Sequence, residues 1–195
     1  MPSLNSMLMG VGLAVLAHPL SIELSTFMVQ SGILPPPPME GLKRINDLLQ
    51  SSDLSPWLII SVFAVTPAIC EEIAFRGFIL SGLARGGRLK IAVIVSSLMF
   101  GIIHMIPQQA FNAALLGLLL GLLAVHSRSL FPAMAFHLCN NAIATFHAKN
   151  SFGIEADGVF FSKEDGMLRY EMPVLILCSL GVAAIVYRMV IDLRK

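Results

Sequence analysis

The chain has 195 residues, 56% of them hydrophobic and 13% charged, with a formal net charge of +1 and a mean hydropathy of +0.79. This composition excludes a basic nucleic-acid-binding domain and a disordered polyelectrolyte, and places the chain with polytopic membrane proteins. Its three cysteines, Cys70, Cys139 and Cys178, are an odd set in apolar segments, which is no disulfide framework.

The first apolar run spans residues 7–30. The first Lys or Arg is Lys43, so the run lacks the basic flank of a signal peptide and reads as a retained membrane helix. It carries His18, Pro19 and Glu23. Pro19 is expected to kink it, and the two ionisable groups are expected to be paired near the kink or to face the bundle interior. Pro35, Pro36, Pro37 and Pro38 form a stiff spacer of about 12 Å. In residues 39–53, Leu42, Ile45, Leu48 and Leu49 recur at helical spacing among charged residues, the pattern of a short amphipathic helix on the membrane surface.

The second span, residues 56–83, holds the sequence Cys70-Glu71-Glu72-Ile73-Ala74-Phe75-Arg76. A carboxylate at the centre of a membrane helix costs roughly 2.5–3.5 kcal/mol on insertion scales, so such a residue is a functional-site hypothesis by default. Glu72 and Arg76 are four apart and share a helix face, so they can pair. Glu71 lies about 100° round the helix and stays outside that pair. Pro67 is expected to bend the helix before it. A basic turn with Arg85, Arg88 and Lys90 follows.

The third span, residues 91–106, carries Phe100 and His104 four apart. The fourth, 109–125, has Asn112 and a Gly117/Gly121 pair suited to close helix contact. The fifth, 129–148, carries His137, Asn140 and Asn141, and the sixth, 173–191, is almost purely apolar. Residues 149–172, rich in acids such as Glu155, Asp157 and Glu164, read as a solvated loop. Six basic residues flank the spans on one side and five on the other, a distribution that puts both termini in the cytoplasm. The expectation is an all-α, polytopic membrane helical bundle of about six transmembrane helices, with 1–195 as a single membrane domain and 56–148 as its motif-bearing core.

Polar groups that lipid rejects thus recur in three spans: Glu71, Glu72 and Arg76, then His104, then His137 and Asn141. Membrane helices turn such groups towards one another or towards a wet cavity. Together they can activate water: a carboxylate as general base, an imidazole beside it, and donors for an oxyanion. Zinc ligation by the Glu and His residues is a competing reading, though no His-Glu-x-x-His helix is present and Asn is a poor zinc ligand. Cysteine catalysis is another, and Cys139 points away from His137 on a helix. A non-catalytic network is the third.

Glu-Glu-x-x-x-Arg at Glu71, Glu72 and Arg76, Phe-x-x-x-His at Phe100 and His104, and His-x-x-x-Asn at His137 and Asn141 occur in order in successive polar-bearing spans. This set resembles the CPBP family, the CAAX proteases and bacteriocin-processing or self-immunity proteins also called ABI, over residues 56–147. The resemblance implies a CAAX-protease-like core and a metal-independent intramembrane glutamate-type endopeptidase without cofactor. It implies that Glu71 activates water, that His104 assists it, and that His137 and Asn141, rather than Asn140, stabilise the oxyanion. Glu72 and Arg76 then support the site. The implied partners are a peptide or protein substrate, prenylated or leader-bearing, and the lipid bilayer, with no nucleic acid. The implied location is a multi-pass position in a bacterial inner membrane. The family also contains members with roles other than proteolysis, such as bacteriocin self-immunity or a membrane scaffold.

Overall fold

The computed structural model describes residues 2–50, 54–150, 161–164 and 167–192. Seven helices and one hairpin make up the described residues. They are α1 (Leu4–Gln30), α2 (Met39–Gln50), α3 (Pro56–Ala84), α4 (Leu89–Ile102), α5 (Pro107–Ser127), α6 (Phe131–Asn150), the strands β1 (Phe161–Glu164) and β2 (Met167–Tyr170), and α7 (Met172–Asp192). Four of the helices, α1, α3, α5 and α7, are long and apolar enough to cross a membrane. The expected count of six is not reached on that criterion. α4 is apolar but has 14 residues, about 21 Å of helix against a hydrocarbon core of about 30 Å. α6 has the length, at 20 residues, but carries His137, Asn140, Asn141 and His147.

Large apolar side chains line the outside of the bundle, among them Phe78, Leu177, Leu180 and Ile102. In water such a surface would drive association; on helices of this length and hydropathy it is the face that meets lipid. The chain is an integral membrane helical bundle.

Inside, α4 and α5 pack most extensively against each other, and α1 packs along α6 and α7. Small residues permit these approaches. A Cβ on Gly121 would lie 3.0 Å from Val93, and one on Gly117 would lie 3.2 Å from Ser97, so the expected glycine pair does face α4. Gly101 is tighter still, with Ala110 O 2.6 Å from where a Cβ would stand. Gly10 in α1 sits against the Pro132 carbonyl of α6. The dry core between helices includes Leu13, Leu120, Leu123, Ala133 and Phe136.

α3 is not a uniform α-helix. It takes π-helical turns at Ser61–Val65 and Ile73–Leu80, on either side of the Thr66–Glu72 segment. Pro67 has no N–H to give to the carbonyl four residues back, which accounts for the widened turn ahead of it. Ser96 of α4 donates to the Phe75 carbonyl within the second π segment at 3.0 Å. α1, in contrast, continues as one helix through Pro19.

The third expected span ends early, at Ile102 rather than Ile106. His104 Nδ1 takes the Phe100 carbonyl at 2.8 Å, the acceptor its own amide would use in a continuing helix. That amide bonds to the Gly101 carbonyl instead, at 3.0 Å. Met105 then turns left-handed at φ 57°, and Pro107 keeps Ile106 extended. His104 therefore stands in the turn between α4 and α5, not on a helix.

Two further expectations change. The polar segment 149–172 includes an antiparallel hairpin, Phe161 opposite Tyr170 and Glu164 opposite Met167; residues 151–160 and 165–166 lie outside the described residues. Glu23 of α1 clamps its end, accepting from Arg169 Nε at 3.0 Å and from the Tyr170 amide at 2.7 Å. The amphipathic helix forms over Met39–Gln50, with 51–53 outside the described residues. It rests on α6 and buries Leu49. Ahead of it, the Gln108 amide at the start of α5 donates to the Pro35 carbonyl, which ties the proline spacer to the bundle.

Candidate functional site

The three motif segments meet at His137. The second residue of the acidic pair, Glu72, has no exposed surface. Its Oε1 accepts from Arg76 Nη1 at 2.9 Å, the pair expected from their four-residue spacing, and also from His137 Nδ1 at 2.8 Å. The second contact crosses from α3 to α6, between residues 65 apart in sequence. Arg76 is anchored twice more: Nη2 donates to the Gly117 carbonyl at 3.1 Å, and its guanidinium lies 4.5 Å from the Phe100 ring centre. The close passage of α5 at Gly117 is what brings that carbonyl within reach: a Cβ there would stand 3.3 Å from Nη2.

Glu71 points elsewhere, as its place on the helix requires. Its side chain is 29% exposed, and Oε2 lies 3.8 Å from His137 Nε2. That oxygen is itself buried and has no hydrogen-bond partner. At 3.8 Å the two atoms are too far apart for a direct hydrogen bond but close enough to share a proton through one water or a small rotation. The two nitrogens of His137 thus face the two carboxylates of the dyad, one at bonding distance and one across a gap.

Phe100 holds the imidazoles in place. Its ring meets His104 edge to face at 5.0 Å between centres and His137 at 5.7 Å, and Phe75 closes its other side at 5.0 Å. A carbonyl only accepts, so His104 carries its proton on Nδ1, towards Phe100 O; in the neutral ring Nε2 is then a free acceptor.

A cavity of about 390 Å³ opens beside these groups. His104, His137 and Asn141 line it, together with Asn140, Asn112, His18 and His147. Glu71 is outside this lining, and its Oε2 lies 3.8 Å from the lining residue His137. Of the residues expected to form the site, His104, His137 and Asn141 therefore line one cavity, and Glu71, Glu72 and Arg76 are not in its lining. Asn140 and Asn141 both line the cavity; the Asn140 side chain meets His18 at 3.2 Å, and the backbone carbonyl of Asn141 accepts from Thr145 Oγ1.

Sequence reasoning missed His147, whose Nδ1 lies 3.2 Å from His18 Nε2. It missed Ser96 and Ser97, fully buried between α3, α4 and α5. It also took Phe100 only as a motif position, where the structure makes it the ring that Arg76 and both imidazoles share. The Glu72–His137 bond carries no sequence signal, because 65 residues separate its partners. Among the described residues, no three His, Cys, Asp or Glu side chains are arranged to hold a metal ion.

No curated protein and no solved structure matches the chain. A family model does: residues 53–143 match that of type II CAAX prenyl endopeptidase Rce1-like. This segment carries Glu71, Glu72, Arg76, Phe100, His104, His137 and Asn141, the positions that meet around His137, and over it the chain is similar to the CAAX proteases, the family that its motifs resemble.

Proposed function

We propose that this protein is an intramembrane endopeptidase that hydrolyses a peptide bond of a prenylated or otherwise membrane-associated substrate, using a water activated by Glu71. The observation that carries the reading is the approach of the unpartnered Glu71 Oε2 to His137 Nε2, 3.8 Å apart, beside a cavity that His104 and Asn141 also line.

In this mechanism a water lies between Glu71 and the free Nε2 of His104. Glu71 takes its proton as the oxygen attacks the carbonyl carbon. The carbonyl oxygen becomes an oxyanion, stabilised by N–H groups of His137 and Asn141. His137 keeps Nδ1–H on Glu72, so it can donate from Nε2 only when the ring carries both protons. That cation is balanced: with Arg76 it makes two positive charges against the two of Glu71 and Glu72. Glu71 then returns its proton to the leaving amine. Glu72 and Arg76 position His137 and touch no substrate. Glu71 is the base and Glu72 is not, because Glu72 has no exposed surface and its Oε1 is committed to Arg76 and His137, whereas Glu71 is partly exposed.

The proposal takes 1–195 as one membrane domain and 56–148 as its catalytic core. α4 and α6 complete six crossings beside the four long helices, with both termini on the cytoplasmic side of a bacterial inner membrane. No metal takes part in the step.

The test is detergent-purified protein with a panel of fluorogenic peptides, prenylated and not, wild type against Glu71→Ala and His104→Ala. Each variant should lose roughly 10²–10⁴-fold in cleavage rate while eluting as the wild type does. Full cleavage with chelator present is expected. Cleavage retained by Glu71→Ala would reject the mechanism, and a wild type that binds peptides without cutting any would leave a self-immunity or scaffold role in its place.

A further inference from the structure

The cavity carries polar groups for which the proposed hydrolysis has no use. Its lining contains no Lys, Arg, Asp or Glu; its polar members are imidazoles, the Ser21 hydroxyl and the carboxamides of Gln109, Asn112, Asn140 and Asn141. Asn141 is assigned to the oxyanion, and Asn140 is bonded to His18. Gln109 and Asn112 remain. They lie three residues apart at the start of α5, so they share one face of that helix, and Ala113 and Leu116 continue the lining beyond them. Gln109 is exposed. Asn112 Oδ1 is buried and has no hydrogen-bond partner. A buried polar atom without a partner is uncommon in a folded chain and calls for an explanation.

We propose that Asn112, with Gln109 one turn before it, holds the backbone of an extended peptide substrate, each carboxamide bonding one peptide unit. The assignment rests on the hydrolytic role proposed for this cavity, and it names main-chain amides as what the cavity recognises. A carboxamide is the side-chain counterpart of a peptide unit: planar, uncharged, with N–H donors and a carbonyl acceptor. It can exchange hydrogen bonds with a peptide unit as a neighbouring strand does. The terminal torsion of Asn is broad, so either end of the Asn112 amide can be turned to the cavity.

The spacing agrees. Residues three apart on a helix have Cβ atoms about 5–6 Å apart, and peptide units on one side of an extended chain recur roughly every 6.6–6.8 Å. The extra methylene of Gln109 covers that difference. His104 lies five residues before Gln109 and lines the same cavity, so a backbone held along this face passes the imidazole that faces the attacking water. A charged substrate side chain would find no countercharge in this lining and would bear its desolvation cost unpaired. Gln109 and Asn112 are positioning residues: they orient the main chain and take no part in proton transfer.

The experiment is an ester scan in detergent with the fluorogenic peptide that the wild type cuts fastest or, where it cuts none, with the farnesylated member of the panel. One backbone N–H at a time, away from the scissile bond, is replaced by an ester oxygen. Cleavage is measured as kcat/KM in wild type, Asn112→Leu and Gln109→Ala, and binding as Kd in the same three on a Glu71→Ala background. In the wild type, one ester position should weaken cleavage and binding by about 10-fold. In Asn112→Leu that same ester should cost nothing further, while the other esters keep their effects. Gln109→Ala should show the same pattern at a position two residues away. A purely structural Asn112 would scale every peptide equally. Where Asn112→Leu does not elute as a folded protein, Asn112→Ala takes its place, and Gln109→Ala is read independently. Additive effects at every position would overturn the assignment for the residue concerned, and a chain that binds no member of the panel would overturn it for both. Coupling in Kd without cleavage by the wild type would keep the assignment and reject hydrolysis. Cleavage without coupling would do the reverse.

Discussion

Removing the guanidinium from the buried cluster gives the sharpest test of its energetics. Arg76→Met keeps most of the volume but leaves Glu72, with no exposed surface, as a buried carboxylate whose only remaining partner is His137 at 2.8 Å. Breaking a buried ion pair from one side costs about 3–5 kcal/mol, because the other charge is left uncompensated. The same change strips the Gly117 carbonyl of its donor and the Phe100 ring of its cation. These losses share one side chain and do not simply add. For a chain of this length 1 kcal/mol is worth roughly 2–4 °C, so a fall in Tm of about 10 °C is expected. A thiol-reactive dye can follow the melt, since Cys178 is buried and Cys139 partly so. Glu72→Gln combined with Arg76→Met should recover much of the loss, because the fully buried carboxylate that Arg76 pairs with is removed together with it. An Arg76→Met protein melting within about 2 °C of wild type, or a double variant no better than the single, would refute the argument.

Other outcomes follow from packing. Gly101→Val should cost about 1–3 kcal/mol and lower Tm, because the Ala110 carbonyl and Ala114 Cβ lie 2.6 and 2.9 Å from the new Cβ. Gly12→Ala, with nothing within 4 Å, should be neutral or slightly stabilising by up to about 1 kcal/mol in the same melt. Cys70→Ser and Cys139→Ser should leave peptide cleavage unchanged; loss of activity in either folded variant would bring cysteine chemistry back.

Much of the bundle could be read from apolar runs and their lengths, because a membrane helix satisfies its backbone within a single continuous segment. α1, α5 and α7 fall within a few residues of the expected spans for that reason. The errors arose where a side chain competes with the backbone or where contact is made across the fold. The end of α4 depends on the His104 ring capturing the Phe100 carbonyl, which periodicity cannot register. The hairpin clamped by Glu23 depends on Arg169 and Tyr170, nearly 150 residues away. At the site, spacing alone gave the Glu72–Arg76 pair and separated Glu71 from it. The approach of α6 that turns His137 towards both carboxylates needed coordinates.

That approach changes what Glu72 is for. From the sequence, Glu72 supports the site through Arg76; in the structure one oxygen serves Arg76 and His137 together, while Oε2 has no partner. Glu72→Gln separates the two contributions. The carboxamide oxygen can still accept from His137 Nδ1, so ring orientation and fold should survive. In the proposed mechanism the negative charge that balances His137 as an oxyanion donor is then gone, and the donor is weakened when charge develops. The expected result is a kcat lower by roughly 10- to 100-fold, on the scale of one oxyanion donor partly lost, with KM little changed. A merely structural Glu72 would instead show activity falling in step with Tm, and full recovery of kcat by any variant that restores Tm. If Glu72→Gln turns over at the wild-type rate, His137 does not work as a cation, and the oxyanion must be held by Asn141 and other donors.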